Sequence, residues 1–147
     1  MNTHVAQILL VEDNPGDARL IREAFQSARF FCHLHAVSDG EEALAFLHRE
    51  GHFVEAPRPD LILLDLNLPH KDGREVLAEI KNDPSLRQIP VLILSSSAVE
   101  ADIACAYDLH ANGYIQKPAN LEQLVQVVKS LEDFWFSIAR LSSEDSA

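Results

Sequence analysis

At 147 residues the chain has the length of one domain with room for a full core. Its 23 acidic and 12 basic residues leave a formal net charge of −11, which argues against an autonomous nucleic-acid binder and against attachment to an anionic membrane. No apolar run approaches the ~20 residues needed to span a bilayer. Cys32 and Cys105 form no C-x-x-C and no zinc spacing, and no signal peptide is expected ahead of them. They are expected to be reduced, buried thiols of a cytoplasmic protein.

Residues 7–11 (QILLV) read as a short buried strand that ends on Glu12 and Asp13. Asn14-Pro15 supplies an N-cap with Pro at N1, and Leu20, Ile21, Ala24 and Phe25 space an apolar face along a helix from Pro15 to about Ala28. Residues 31–37 alternate unevenly and predict a second, more exposed strand. Ser38-Asp39 caps a helix that carries Ala43, Leu44, Phe46 and Leu47 and stops at Gly51. Residues 51–59 are a loop, because Pro57 and Pro59 forbid regular structure.

The run Leu61-Ile62-Leu63-Leu64 is short and wholly apolar, a fully buried third strand, and it stops on Asp65. An acid at the mouth of such a strand is costly unless something uses its charge. Pro69, Asp72 and Gly73 hand the chain to a helix over residues 73–82, with Val76, Leu77 and Ile80 inward. Residues 91–94 are the fourth strand and end on Ser95, Ser96 and Ser97. A weaker helix covers about residues 99–109, Asn112-Gly113 turns the chain, and residues 114–116 form a short fifth strand ending at Lys117-Pro118. A long helix begins near Asn120 and is expected to reach about Arg140, leaving residues 142–147 (SSEDSA) as a disordered tail.

Five strand–helix repeats predict a doubly wound α/β fold, a five-stranded parallel sheet with right-handed crossovers and helices on both faces. All strand ends then lie on one rim. Glu12, Asp13 and Asp65 meet there if the first and third strands are neighbours. Three acids together repel one another, and a divalent cation resolves the conflict. All-oxygen ligands suit Mg²⁺. Lys117 adds a point charge suited to a phosphate oxygen and Ser95 adds a hydroxyl. Acid, metal, ammonium and hydroxyl describe a site that moves a phosphoryl group onto or off a carboxylate. Each residue alone has an ordinary explanation as a cap, turn or loop residue. Together they fall at the ends of different strands.

On these residues the chain resembles the receiver domain of two-component response regulators, over about residues 4–131. ILLVEDNPGD matches the family's acidic pair, LILLDLNLPHKDG its phosphoacceptor, IPVLILSS its hydroxyl and GYIQKP its lysine. The resemblance implies the flavodoxin-like strand order 2-1-3-4-5. It implies that Asp65 accepts a phosphoryl group from a phosphohistidine, and that Glu12, Asp13, Asp65 and the carbonyl of Asn67 hold Mg²⁺. Ser95 and Lys117 would contact the phosphoryl group, Lys117-Pro118 would be a cis peptide, and Ser95 and Tyr114 would form the switch. Such a chain is a signalling protein rather than an enzyme, although it assists its own phosphorylation and dephosphorylation. The sequence departs from the family at Glu12 and Ser95, where Asp and Thr are commoner, at Lys71, where Met is commoner, with His70 before it, both read first as solvated loop residues and second as contacts for a donor kinase, and in the long loop 51–59.

A finer resemblance, to small single-domain regulators paired with phytochrome histidine kinases, rests on DLNLPHKDGREVLAEIK, AYDLHANGYIQKPANLEQL and LEDFWFSIARL. The kinase is then expected to be of that type, with a further, unidentified protein downstream. Other readings stay open on the residues alone. One is a phosphorylation-independent adaptor of the same fold. A hydrolase of the haloacid-dehalogenase type would want a second acid where Asn67 stands, and a flavodoxin-like binding module would want a hydroxyl- and Gly-rich loop in place of EDNPGD. Finally, Leu121, Leu124, Val128, Leu131, Trp135 and Ile138 make one apolar stripe on the last helix, while Val127, Phe134 and Leu141 make a second beside it. A receiver of residues 1–131 can bury the first half of one stripe. The extension over residues 132–147 is therefore expected to form a homodimer.

Overall fold

The computed structural model describes residues 5–95, 100–117 and 120–145, with the backbone alone described for residues 100–102 and 134–145. Five strands alternate with five helices: β1 Ala6–Val11, α1 Pro15–Ser27, β2 Cys32–Val37, α2 Gly40–His48, β3 Leu61–Leu64, α3 Gly73–Asn82, β4 Val91–Ser95, α4 Glu100–Asp108, β5 Gly113–Gln116 and α5 Leu121–Asp145. All pairings are parallel, in the order β2-β1-β3-β4-β5. Strands β1 and β3 are neighbours, with Val11 in register with Leu64, so their carboxyl ends lie side by side.

Helices α1, α2 and α3 start where their caps dictate. The Asn14 side chain accepts from the Asp17 amide with Pro15 in the first turn, and the Asp39 side chain accepts from the Glu42 amide. Asp72 does the same for the Arg74 amide. These bonds satisfy amides that the first helical turn leaves without partners.

The sheet divides the core into two layers. Leu9, Val11, Ile62, Leu64, Val91 and Ile93 pack with Phe46, Leu77 and Ile80 beneath α2, α3 and α4. Ile8, Leu10, Leu61, Leu63, Leu92 and Leu94 pack with Ile21, Phe25, Leu124, Val128 and Leu131 of α1 and α5. Alternate side chains of one strand thus feed opposite layers, which is why β3 and β4 read as continuous apolar runs. Edge strand β2 is half-exposed, as its uneven alternation predicts.

Four expectations need correction. Helix α2 ends at His48 rather than Gly51, because Arg49 takes a left-handed cap with φ of 56°. The loop that follows is not wholly irregular: Gly51–Phe53 makes a 3-10 turn ahead of the prolines. The last helix continues to Asp145, through residues 142–145 that were expected to be tail. No Gly or Pro interrupts residues 121–145 to stop it. Cys32 and Cys105 are free but half-buried, not buried. Among the described residues no helix is long and apolar enough to cross a membrane. The cis peptide expected at Lys117-Pro118 falls on Pro118, outside the described residues.

Candidate functional site

Backbone hydrogen bonds carry the sheet one residue past its strands and so fix the rim. The Glu12 amide donates to Val37 O at 3.0 Å and the Asp65 amide to Val11 O at 3.1 Å. The Lys117 amide donates to Ser95 O at 2.6 Å, tying the end of β5 to the end of β4. Glu12 and Asp65 are buried, 4% and 6% exposed, and Ser95 is fully buried, whereas Asp13 lies open. Adjacent acids on a strand end point to opposite sides, so one of the pair turns inward and the other outward.

Lys117 gathers the carboxylates. Its Nζ lies 2.5 Å from Glu12 Oε2, 3.1 Å from Asp65 Oδ2 and 3.1 Å from Asp17 Oδ2. The remaining oxygens are held by backbone: Asp65 Oδ1 accepts from the Asn67 amide at 3.1 Å, and Glu12 Oε1 from the Asn14 amide at 3.2 Å. Burial pushes the Glu12 carboxyl up to about 7, and the negative charge of Asp65 adds to this against the opposing contact with Lys117. Burial pulls the Lys117 ammonium down, but Glu12, Asp65 and Asp17 together outweigh it and hold the amine well above its ordinary value.

Carboxylate oxygens of Glu12, Asp13 and Asp65 all lie within 4.8 Å of one another. Among the described residues this is the one cluster of three or more acidic, histidine or cysteine ligands. Hard oxygen donors at this spacing fit a divalent cation, which would offset the charge of three carboxylates held together.

The loop after Asp65 is seated by Gly73. A Cβ there would strike Asp65 O, and it would come within 2.6 Å of the Leu66 Cα, so the backbone approach requires glycine. Within that loop His70 is left-handed at φ 65°. Lys71 turns back to Glu79 of α3 at 2.6 Å, so its charge is spent on its own domain. Tyr114 stands in register with Ile93 and packs, half-buried, on the α2–α4 layer.

The structure thus brings Glu12, Asp13, Asp65, Asn67, Ser95 and Lys117 to one rim. It adds Asp17, which the sequence reading passed over. An acid in the first turn of a helix that springs from the rim was the available signal, hidden because such acids commonly serve the helix terminus.

The response regulator receiver domain family matches residues 8–129. Response regulator Rcp1 of Synechocystis sp. is 48% identical over 134 residues, covering 91% of each chain. The crystal structure of the phosphorylated cyanobacterial phytochrome response regulator RcpA is 57% identical, with a TM-score of 0.85 over 92% of this chain and 96% of that one. The Mn(2+)-bound form of Rcp1 has a TM-score of 0.80 at 48% identity, over 88% of this chain and 94% of that one. With the family spanning residues 8–129, most of its length, this chain belongs to the response regulator receiver domain family.

Proposed function

We propose that the chain is the phosphoacceptor switch of a two-component pathway, in which Asp65 takes a phosphoryl group from a histidine kinase of the phytochrome type with Mg²⁺ as the cation. One observation carries the reading: a buried Asp65 shares a single ammonium with Glu12 and lies within 4.8 Å of the Glu12 and Asp13 carboxylates. In the transfer a carboxylate oxygen of Asp65 forms a bond to phosphorus as the P–N bond of the donor phosphohistidine breaks, and the imidazole leaves carrying a proton. Lys117 and the Ser95 hydroxyl each contact a phosphoryl oxygen and stabilise the charge spread there. Glu12, Asp13, Asp65 and the Asn67 carbonyl would hold Mg²⁺, which would supply counter-charge for the transfer. Tyr114 reports the change by turning inward as Ser95 moves. Its half-buried seat opposite Ile93, two residues along β4 from Ser95, supports that coupling.

The phytochrome assignment is supported by the similarity to RcpA, itself a phytochrome response regulator. A homodimer through residues 132–147 belongs to the same reading. Leu131 is the last buried residue of α5 among the described side chains, and the helix backbone continues to Asp145, ~20 Å further at 1.5 Å per residue. Val127, expected on the free stripe, packs partly against its own core, so the pairing surface begins beyond it.

The test is incubation with acetyl phosphate and Mg²⁺, read by intact mass. Wild type should gain one phosphoryl group and Asp65→Asn none. Labelling of Asp65→Asn at the wild-type rate would overturn the assignment. Sedimentation of the full chain and of Trp135→Glu checks the dimer: the first should run as a dimer, the second as a monomer.

A further inference from the structure

Of the three carboxylates on Lys117, two belong to the cation cluster and one does not. Glu12 and Asp65 are shared between the ammonium and the metal position, and Asp65 also receives the phosphoryl group. Asp17 lies outside that cluster yet reaches the ammonium at the same 3.1 Å as Asp65. When a cation draws on Glu12 and Asp65, Asp17 is the partner that stays with Lys117.

The Asp17 side chain is 45% exposed, but its backbone is fixed. Its amide donates to Asn14 Oδ1 at 3.1 Å, and its helix is anchored by Ile21, Ala24 and Phe25 in the core. Lysine is a compact charge on a flexible four-carbon stem and is poorly aimed unless something fixes its end. Here the stem passes between α1 and α5, where Asp17, Leu20, Ile21, Lys117 and Leu124 enclose a cavity of only about 20 Å³. That space has room for a single water.

We propose that Asp17 is a positioning residue: it holds the Lys117 ammonium on the line of the incoming phosphoryl oxygens while the cation occupies Glu12 and Asp65. The proposal rests on the phosphoacceptor reading above. It differs from a plain helix-start role, in which an acid in the first turn stabilises α1 and touches nothing of the reaction.

The experiment compares wild type, Asp17→Asn and Asp17→Glu, each also in a Lys117→Ala background. The rate constant for labelling by acetyl phosphate and the side-chain ammonium NMR signal of Lys117 in Mg²⁺-loaded protein are both read. Asp17→Asn should label roughly five- to tenfold more slowly, and Asp17→Glu should recover most of that loss. In the Lys117→Ala background Asp17→Asn should change the rate less than about twofold, since the partner it acts through is gone. The ammonium signal should be sharp in wild type and in Asp17→Glu and broadened in Asp17→Asn, at unchanged Mg²⁺ affinity. An equal slowing with and without Lys117, an unaltered ammonium signal in Asp17→Asn, or a matching fall in Mg²⁺ affinity would each overturn the proposal. Failure of the phosphoacceptor reading is seen separately, as labelling of Asp65→Asn or none of wild type.

Discussion

Two lysines mark the two ends of the sheet, and burial acts on both in the same direction. Lys81, at the amino end, donates to Arg87 O, Ile89 O and Asn112 Oδ1 at 2.9–3.1 Å. Its partners are neutral oxygens, so burial prevails and lowers its pKa. Lys117, at the carboxyl end, meets three carboxylates, and its pKa is raised. The rest of the amino rim follows Lys81. Asn112 Oδ1 accepts from the Val91 amide at 2.9 Å, the Gln7 amide donates to Asp60 Oδ2 at 2.8 Å, and Arg58 donates to Ser85 O at 2.6 Å. Polar side chains at that end complete the backbone's hydrogen bonding. Those at the carboxyl end leave a surplus of like charge. One fold can therefore be held at one rim and reactive at the other, and charge balance distinguishes the two.

The largest test of this contrast exchanges the lysines' roles. Lys117→Ala should slow labelling by acetyl phosphate about 100-fold or more, by removing the fixed positive charge at the phosphoryl oxygens. Lys81→Ala should leave the rate within about twofold and instead cost roughly 1–3 kcal/mol in urea unfolding, since three acceptors lose their donor. Equal loss of labelling in both variants would erase the distinction between the rims.

Gly73→Ala comes next. Its Cβ would displace the backbone of Asp65 and Leu66, so about 1–3 kcal/mol of stability should go together with slower labelling. Gly113→Ala meets the Leu92 Cδ2 at 2.8 Å, a flexible side-chain end, and should cost less and spare the site. A third test separates the adjacent acids. Asp13 is exposed with its carboxylate near the cluster, whereas Glu12 is engaged by Lys117. Calorimetric titration should therefore show Asp13→Asn weakening Mg²⁺ binding more than Glu12→Gln, by roughly tenfold against a few-fold.

The smallest effect lies on edge strand β2. His35 Nε2 donates to Gln7 Oε1 at 2.8 Å, and burial, then His33 and Arg22, lower its pKa below 6.5. The unfolded chain protonates His35 at 6.5 and the folded chain only at lower pH. Stability from this group is therefore present above 6.5 and lost as pH falls through 6.5 toward the folded value. The urea midpoint should drop on acidification below about 6.5, and by less in His35→Gln.

Much of this was legible in the residues. Apolar runs of four residues stopping on acids or hydroxyls placed β1, β3 and β4, because a strand covered on both faces shows no alternation. Asn14, Asp39 and Asp72 marked helix starts because a first turn needs side-chain acceptors. The end of α2 was less legible, since a left-handed arginine cap carries no compositional mark.

The sequence by itself determined which elements form and which end of each strand carries chemistry, because both depend on burial period and capping within a few residues. Tertiary structure alone decided how the charges pair. It turned Glu12 inward and Asp13 outward, gave Lys71 to Glu79, and brought Asp17 to Lys117 across 100 residues of chain. Coulomb and hydrogen-bond energies depend on distances of a few ångströms, and those distances are set by how α1 and α5 pack on the sheet.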